Sequence, residues 1–206
     1  MGKNYQILLD KEIEALQKAG ERPRLLLHAC CAPCSSYVLE YLCRYFEITL
    51  FFYNPNISPR SEYDMRLGEL ERLVTDMGLG DGVTVVNSDY TPELFYQMAK
   101  GLESLPEGGE RCRRCYELRL CKTAEAAKEG GFDYFTTTLS ISPHKNAEWL
   151  NTIGEELSGK VGVKYLFSDF KKRGGYLRSC KLSEEYGLYR QDFCGCIYSK
   201  IAKKQK

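Results

Sequence analysis

The sequence predicts an α/β protein, a parallel sheet with helices on both faces. Short apolar runs alternate along the chain with longer runs of helical periodicity, the order that builds βαβ units. One short run, residues 47–53 (EITLFFY), is apolar without alternation, as suits a strand buried on both faces. The 206 residues are 43% hydrophobic, enough for a substantial core.

The elements follow in order. Residues 4–18 place Ile7, Leu8, Ile13 and Leu16 at helical spacing. Residues 24–29 (RLLLHA) form a short apolar strand bounded upstream by Pro23, and 33–45 a helix with Val38, Leu39 and Leu42 on one face. After the strand at 47–53 comes a loop, 54–59, rich in Asn and Pro. A helix is expected over 61–77, a turn over 78–82 and a strand over 83–87. The helix at 91–102 is capped by Thr91 with Pro92 at its first position. A loop at 105–109 leads to a helix over 112–129 that stops at Gly130 and Gly131. A β-branched and aromatic strand (134–139), a turn (142–145), a helix (146–157) and a strand (163–167) complete the alternation. A polar turn at 171–175 and one more helix from Leu182 are expected in the tail. The chain reads as a single domain over 1–206, with 1–23 a helical extension and 168–206 a C-terminal segment carrying Cys194 and Cys196.

In such sheets ligands sit beyond the carboxyl ends of the strands, near the switch in strand order. The loops expected there carry the thiol and polar chemistry: Cys30 after the first strand, Asn54, Asn56 and Asp89 after the second and third, and Ser140, Ser142 and His144 after the fourth. The formal net charge of +1 excludes a strong global attraction to nucleic acid but not a local basic patch. No apolar run is long enough to span a membrane, and residues 1–21 lack an apolar signal region. A cytoplasmic protein is expected, where cysteine groups bind metal or do redox chemistry more often than they form structural disulfides.

Seven of the ten cysteines fall into three tight groups. Cys30, Cys31 and Cys34 lie at the start of a helix, whose free N–H groups and positive end stabilise thiolates. They suit a metal or cluster, or a thioredoxin-like redox pair. Cys112 and Cys115 lie among Arg111, Arg113, Arg114 and Arg119, which lower thiol pKa and offset cluster charge. Zinc competes for four such thiolates, but structural zinc usually staples a small loop-rich module rather than the edge of an α/β sheet. Cys194 and Cys196, separated by one glycine, can close a strained disulfide, cycle as a dithiol, or complete a metal shell. Cys43, Cys121 and Cys180 read as small buried apolar residues, and His28 as a core histidine at a strand end. Lys171, Lys172 and Arg173, with Tyr176, Arg178, Tyr189 and Arg190, form a candidate RNA contact, while Lys203 and Lys204 read as solvated charge.

Five segments, HACCAPCSSY, FFYNPNISPRSEYDMR, EGGERCRRCYELRL, FTTTLSISPHKN and YRQDFCGCIYS, together resemble the cobalamin-independent epoxyqueuosine reductases, the QueH family. The likeness runs from about Leu25 to Ser199. It implies a fold similar to the adenine-nucleotide α-hydrolase and PP-loop (HUP-like) group, and reduction of the epoxide on a tRNA wobble nucleoside in the last step of queuosine synthesis. It further implies that Cys30, Cys31, Cys112 and Cys115 ligate a [4Fe–4S] cluster, and that Cys194 and Cys196 form a redox-active pair or bind an adjacent mononuclear iron. Cys34 and Asp89 lie at positions suited to that second metal site. No cobalamin is expected. The implied partners are tRNA bearing epoxyqueuosine and an electron donor. Removing the epoxide oxygen takes two electrons and two protons, and His144, Tyr116 or a thiol is the expected proton donor.

Two rival readings make different demands. An ATP-dependent tRNA-modifying enzyme of the PP-loop type needs a glycine-rich phosphate loop after the first strand, where this chain has CCAPCSS. A zinc-stabilised RNA-binding module without catalysis would be colourless and hold zinc.

Overall fold

The computed structural model describes residues 3–204. Five strands form one sheet: β1 (Arg24–His28), β2 (Glu47–Phe52), β3 (Val83–Asn87), β4 (Tyr134–Thr137) and β5 (Lys164–Tyr165). Their spatial order is β3-β2-β1-β4-β5, and every pairing is parallel. The chain builds outward from β1 to β3, then crosses back to β4 and continues to β5. The order therefore switches between β1 and β4, and the crevice lies beyond their carboxyl ends.

The helices are α1 (Tyr5–Ala19), α2 (Ala32–Leu42), α3 (Arg60–Asp76), α4 (Pro92–Ala99), α5 (Glu110–Glu129), α6 (Ala147–Val161), α7 (Gly175–Glu185) and α8 (Ile197–Lys204). Alternation along the strands splits the interior into two cores. Leu25 and Leu27 of β1 and Ile48, Leu50 and Phe52 of β2 pack with Leu9 and Ile13 of α1, Val38 and Leu39 of α2, and Leu70 and Leu73 of α3. Leu26 and Phe51 face the other way, with Phe135 of β4, onto Tyr116 and Leu120 of α5 and Leu150 and Ile153 of α6. Each fully buried Leu or Phe contributes roughly 1.5–3 kcal/mol. This is the expected α/β architecture, with helices on both faces.

Local chemistry sets the ends. The Asn4 side chain accepts from Ile7 N at 3.3 Å to start α1, and Asn146 accepts from Trp149 N at 3.0 Å to start α6. Gly154 lets α6 lie close to β5: a Cβ there would fall 2.3 Å from the Tyr165 ring.

Some expectations are corrected. β4, expected through 139, stops at Thr137, whose hydroxyl accepts from Leu139 N at 3.1 Å and turns the chain into a short 3-10 helix, Thr138–Ile141. β5 has two residues rather than five, because the Ser158 hydroxyl donates to Val163 O at 2.7 Å and accepts from Tyr165 N at 3.3 Å, closing the outer edge. The last expected helix does not start at Leu182. It starts at Gly175, and Leu182 is buried inside it, while a further helix, α8, follows Cys196.

Candidate active site at the carboxyl edge

The first cysteine group continues β1. Cys31 is the N-cap residue of α2, Pro33 sits in its first turn, and Cys30 immediately precedes the cap. The sulfurs of Cys30, Cys31 and Cys34 all lie within 4.8 Å of one another, with Cys30 and Cys31 at 3.7 Å. Three thiols this close cannot share charge equally. Hydrogen bonds from Cys30 and Cys34 hold the Cys31 pKa well below the thiol range; the contact with Cys31, with burial, pushes Cys30 up to about 11, and the contacts with both raise Cys34. Gln191 adds a donor, its Nε2 at 2.9 Å from Cys31 Sγ.

The second and third groups meet in one small hollow. Cys112 and Cys115 lie one turn apart at the start of α5, so they share a face. Gly108 N donates to Cys112 Sγ at 3.3 Å, and Arg111 anchors the preceding loop through the carbonyls of Leu102, Glu103 and Leu105. Burial raises the Cys115 pKa. Opposite them, Gly195 has φ +110°, and a Cβ there would meet Ile57 at 3.0 Å and Arg66 Nη1 at 3.1 Å, so the position requires glycine. Buried Arg66, paired with Glu62 at 2.6 Å, donates to Cys194 O at 3.2 Å, and Ser58 N donates to Gly195 O at 3.0 Å. The thiol turn is thus fixed to α3 and the loop before it.

Lys145 enters the hollow from the turn before α6. Its side chain is 9% exposed, its Nζ lies 3.1 Å from Cys194 Sγ, and Glu107 is 3.5 Å away. Glu107 also accepts from Ser199 Oγ at 3.0 Å, which in turn accepts from Cys194 N at 3.1 Å. A hydrogen bond from Cys196, reinforced by the Lys145 ammonium, holds the Cys194 pKa well below the thiol range against burial, and the partner Cys196 is raised. Cys112, Cys115, Cys194 and Cys196 line the hollow with Arg119, Tyr116 and Asn56. All the cysteines are free thiols. The two thiol walls are linked by hydrogen bonds: Arg119 Nη1 reaches Asn54 Oδ1 at 3.5 Å, and Asn54 Nδ2 donates to Ala29 O at 2.9 Å, next to Cys30.

Residues 25–202 match the family model described as Epoxyqueuosine reductase QueH. The chain belongs to the QueH family. Curated relatives named Epoxyqueuosine reductase QueH include one from Streptococcus pyogenes serotype M1, 45% identical over 95% of this chain and 78% of its own length. Another, from Staphylococcus epidermidis, is 46% identical over 96% of this chain and 85% of its own, and one from Thermotoga maritima is 37% identical over 88% and 93%.

In this QueH chain the sequence-expected residues divide between the two walls. Cys30 and Cys31 stand with Cys34, whereas Cys112 and Cys115 stand with Cys194 and Cys196. Asp89 is exposed after β3, and no carboxylate joins the Cys30–Cys31–Cys34 trio among the described residues. His28 is a buried core histidine: it contacts Thr137 Oγ1 at 2.9 Å and Tyr53 O at 3.1 Å, and burial, then the Arg119 charge, pushes its pKa down to about 4. His144 is exposed, and its neighbour Lys145 is the residue that turns inward. Sequence reasoning missed Lys145, because a lysine in a polar turn reads as solvated. The one usable signal was its place at the carboxyl end of β4. The reach of Gln191 to Cys31 had no local signal, since 160 residues separate them.

Proposed function

We propose that this chain reduces epoxyqueuosine at the tRNA wobble position to queuosine, the closing step of queuosine synthesis. The observation that carries the reading is the Cys194–Cys196 dithiol, set against Lys145 in a hollow shared with Cys112 and Cys115, within a QueH chain. The reaction takes two electrons and two protons, breaks both C–O bonds of the epoxide, and yields an alkene and water. Oxidation of the Cys194 thiolate and the Cys196 thiol to a disulfide supplies two electrons and one proton, and the proton held at Lys145 Nζ is the second, so the pair and Lys145 together balance one turnover.

The donor set suits an iron–sulfur group. The ligands are soft thiols at the N-termini of α2 and α5, and a buried guanidinium with an unpartnered Nη2 stands beside them. Cys30, Cys31, Cys112 and Cys115 are the residues proposed to hold a [4Fe–4S] cluster, which when bound supplies low-potential electrons singly. Lys145 orients Cys194 and holds a proton at Nζ beside it. Although burial opposes the ammonium, Cys194 and Glu107 keep it charged. Tyr116 keeps its own proton, because burial pushes its pKa up to about 12. Arg66 and Ser58 fix the backbone of the pair. A second iron on Cys194 and Cys196, with Cys34 and Asp89, is the competing role. The ammonium 3.1 Å from Cys194 Sγ argues against it, because it occupies and repels the space a metal cation would take.

The deciding experiment is anaerobic purification with iron, zinc and sulfide analysis, followed by turnover of an anticodon stem-loop containing epoxyqueuosine. Brown protein with iron and sulfide that forms the alkene is expected. Colourless protein with stoichiometric zinc and no turnover would instead establish the zinc-stabilised binding module.

A further inference from the structure

Arg119 is among the largest fully buried side chains, at 2% exposure. Its Nε donates to Cys115 O at 3.2 Å and its Nη1 reaches Asn54 Oδ1 at 3.5 Å, while Nη2 has no partner. Among the described residues no carboxylate pairs with it. Arg66, buried to the same extent, has Glu62 at 2.6 Å. Taking a guanidinium out of water costs several kcal/mol unless negative charge offsets it. Arg119 lines the hollow with Cys112, Cys115, Cys194 and Cys196, and reaches toward Cys30 through Asn54, which donates to Ala29 O. Unlike lysine, arginine cannot shed its proton to escape burial. A permanent cation with no carboxylate partner among the described residues is thus fixed between the two thiol walls.

We infer that Arg119 is a positioning residue that acts through the cysteine-held group, as a counter-charge that raises its reduction potential. The inference rests on the reading that the cysteines hold an iron–sulfur cluster. Reduction adds one negative charge, and a nearby cation in a poorly solvated site stabilises that more negative state. Lys145 is not equivalent, because Glu107 stands beside it and partly offsets its charge.

The test compares wild type with Arg119→Gln, which keeps hydrogen bonding and loses the charge, and Arg119→Lys, which keeps the charge. Each is purified anaerobically, assayed for iron and sulfide, and titrated with a redox mediator while the cluster absorbance is followed. In Arg119→Gln the reduced-to-oxidised ratio at a fixed potential should fall at least about tenfold, a shift of about 59 mV to more negative values for one electron. Arg119→Lys should stay close to wild type. Equal potentials for wild type and Arg119→Gln at full iron content would overturn the inference. If Arg119→Gln loses iron while Arg119→Lys retains it, the charge itself is what the site requires, which supports the inference. Iron loss in both variants makes the guanidinium shape decisive and overturns it. Wild-type protein free of iron and sulfide removes the cluster reading, and this inference with it.

Discussion

At the residue scale the site is a set of thiols whose charges are set by their neighbours. If Cys112 is a cluster ligand, Cys112→Ala should lose the brown colour, the cluster iron and the activity together, and an intact iron–sulfur spectrum in that variant would refute the assignment. Cys194→Ser and Cys196→Ser should keep the cluster iron and lose turnover, measured as iron per chain against alkene formed. Loss of iron in both would make them primary ligands. Gly195→Ala forces a Cβ to within 3.0 Å of Ile57 at a left-handed φ of +110°, a strain of about 1–3 kcal/mol, so the denaturation midpoint should fall and turnover with it. The thiols were legible in the sequence because soft ligands in tight groups have few other uses. Lys145 was not legible as a site residue, and Arg119, although read beside Cys112 and Cys115, was not legible as a fully buried cation, because the signal that distinguishes a buried cation from a solvated one is its surroundings, and those come from distant segments.

At the element scale the strands and most helices were legible because each carries its own period. The failures fall where tertiary contacts override local pattern. β5 is cut short by a hydroxyl from α6, and α7 begins at glycines, with Gly174 at φ 76°, which read as a turn. The contact of α6 with β5 gives a separate test. Gly154→Ala would drive a methyl group into the Tyr165 ring and should cost about 1–3 kcal/mol, read as a lower urea midpoint. Gly154 is remote from the cysteine groups in sequence and faces the second core, so iron content in the folded variant should not change. Iron loss at full folding would show that the two regions are coupled.

At the scale of the whole molecule the question is how an anticodon loop is held by a chain of net charge +1. The candidate RNA contact read from the sequence is partly neutralised: Lys171 pairs with Asp169 and Arg173 with Asp10, and outside that set Arg113 and Arg114 pair with Glu110. Arg178 pairs with Glu40, and Lys203 with Asp192. Lys172 has no such pair among the described residues and is exposed, as are Tyr189 and Arg190, which directly precede Gln191. If these residues bind the loop, Tyr189→Ala with Arg190→Ala should raise the apparent KM for the stem-loop several-fold and weaken its salt dependence, while iron content stays full. Steady-state kinetics at two salt concentrations decide it. Unchanged KM and salt slope would remove this segment from the interface. Reversing Lys171 and Arg173 to Glu is the less informative experiment, because it also breaks two ion pairs.

The three cysteine groups come from widely separated parts of the chain, and the turn that presents Cys194 and Cys196 is tied back to earlier segments through Arg66, Ser58 and Lys145, and to Glu107 through Ser199 just after it. All five strands are therefore synthesised before this turn exists. A nascent chain can pair its sheet and bury both cores while the hollow still lacks one wall, leaving Cys112 and Cys115 open to oxidants. Maturation of the site is in this sense a late event, set by the arrival of a short closing segment rather than by folding of the sheet.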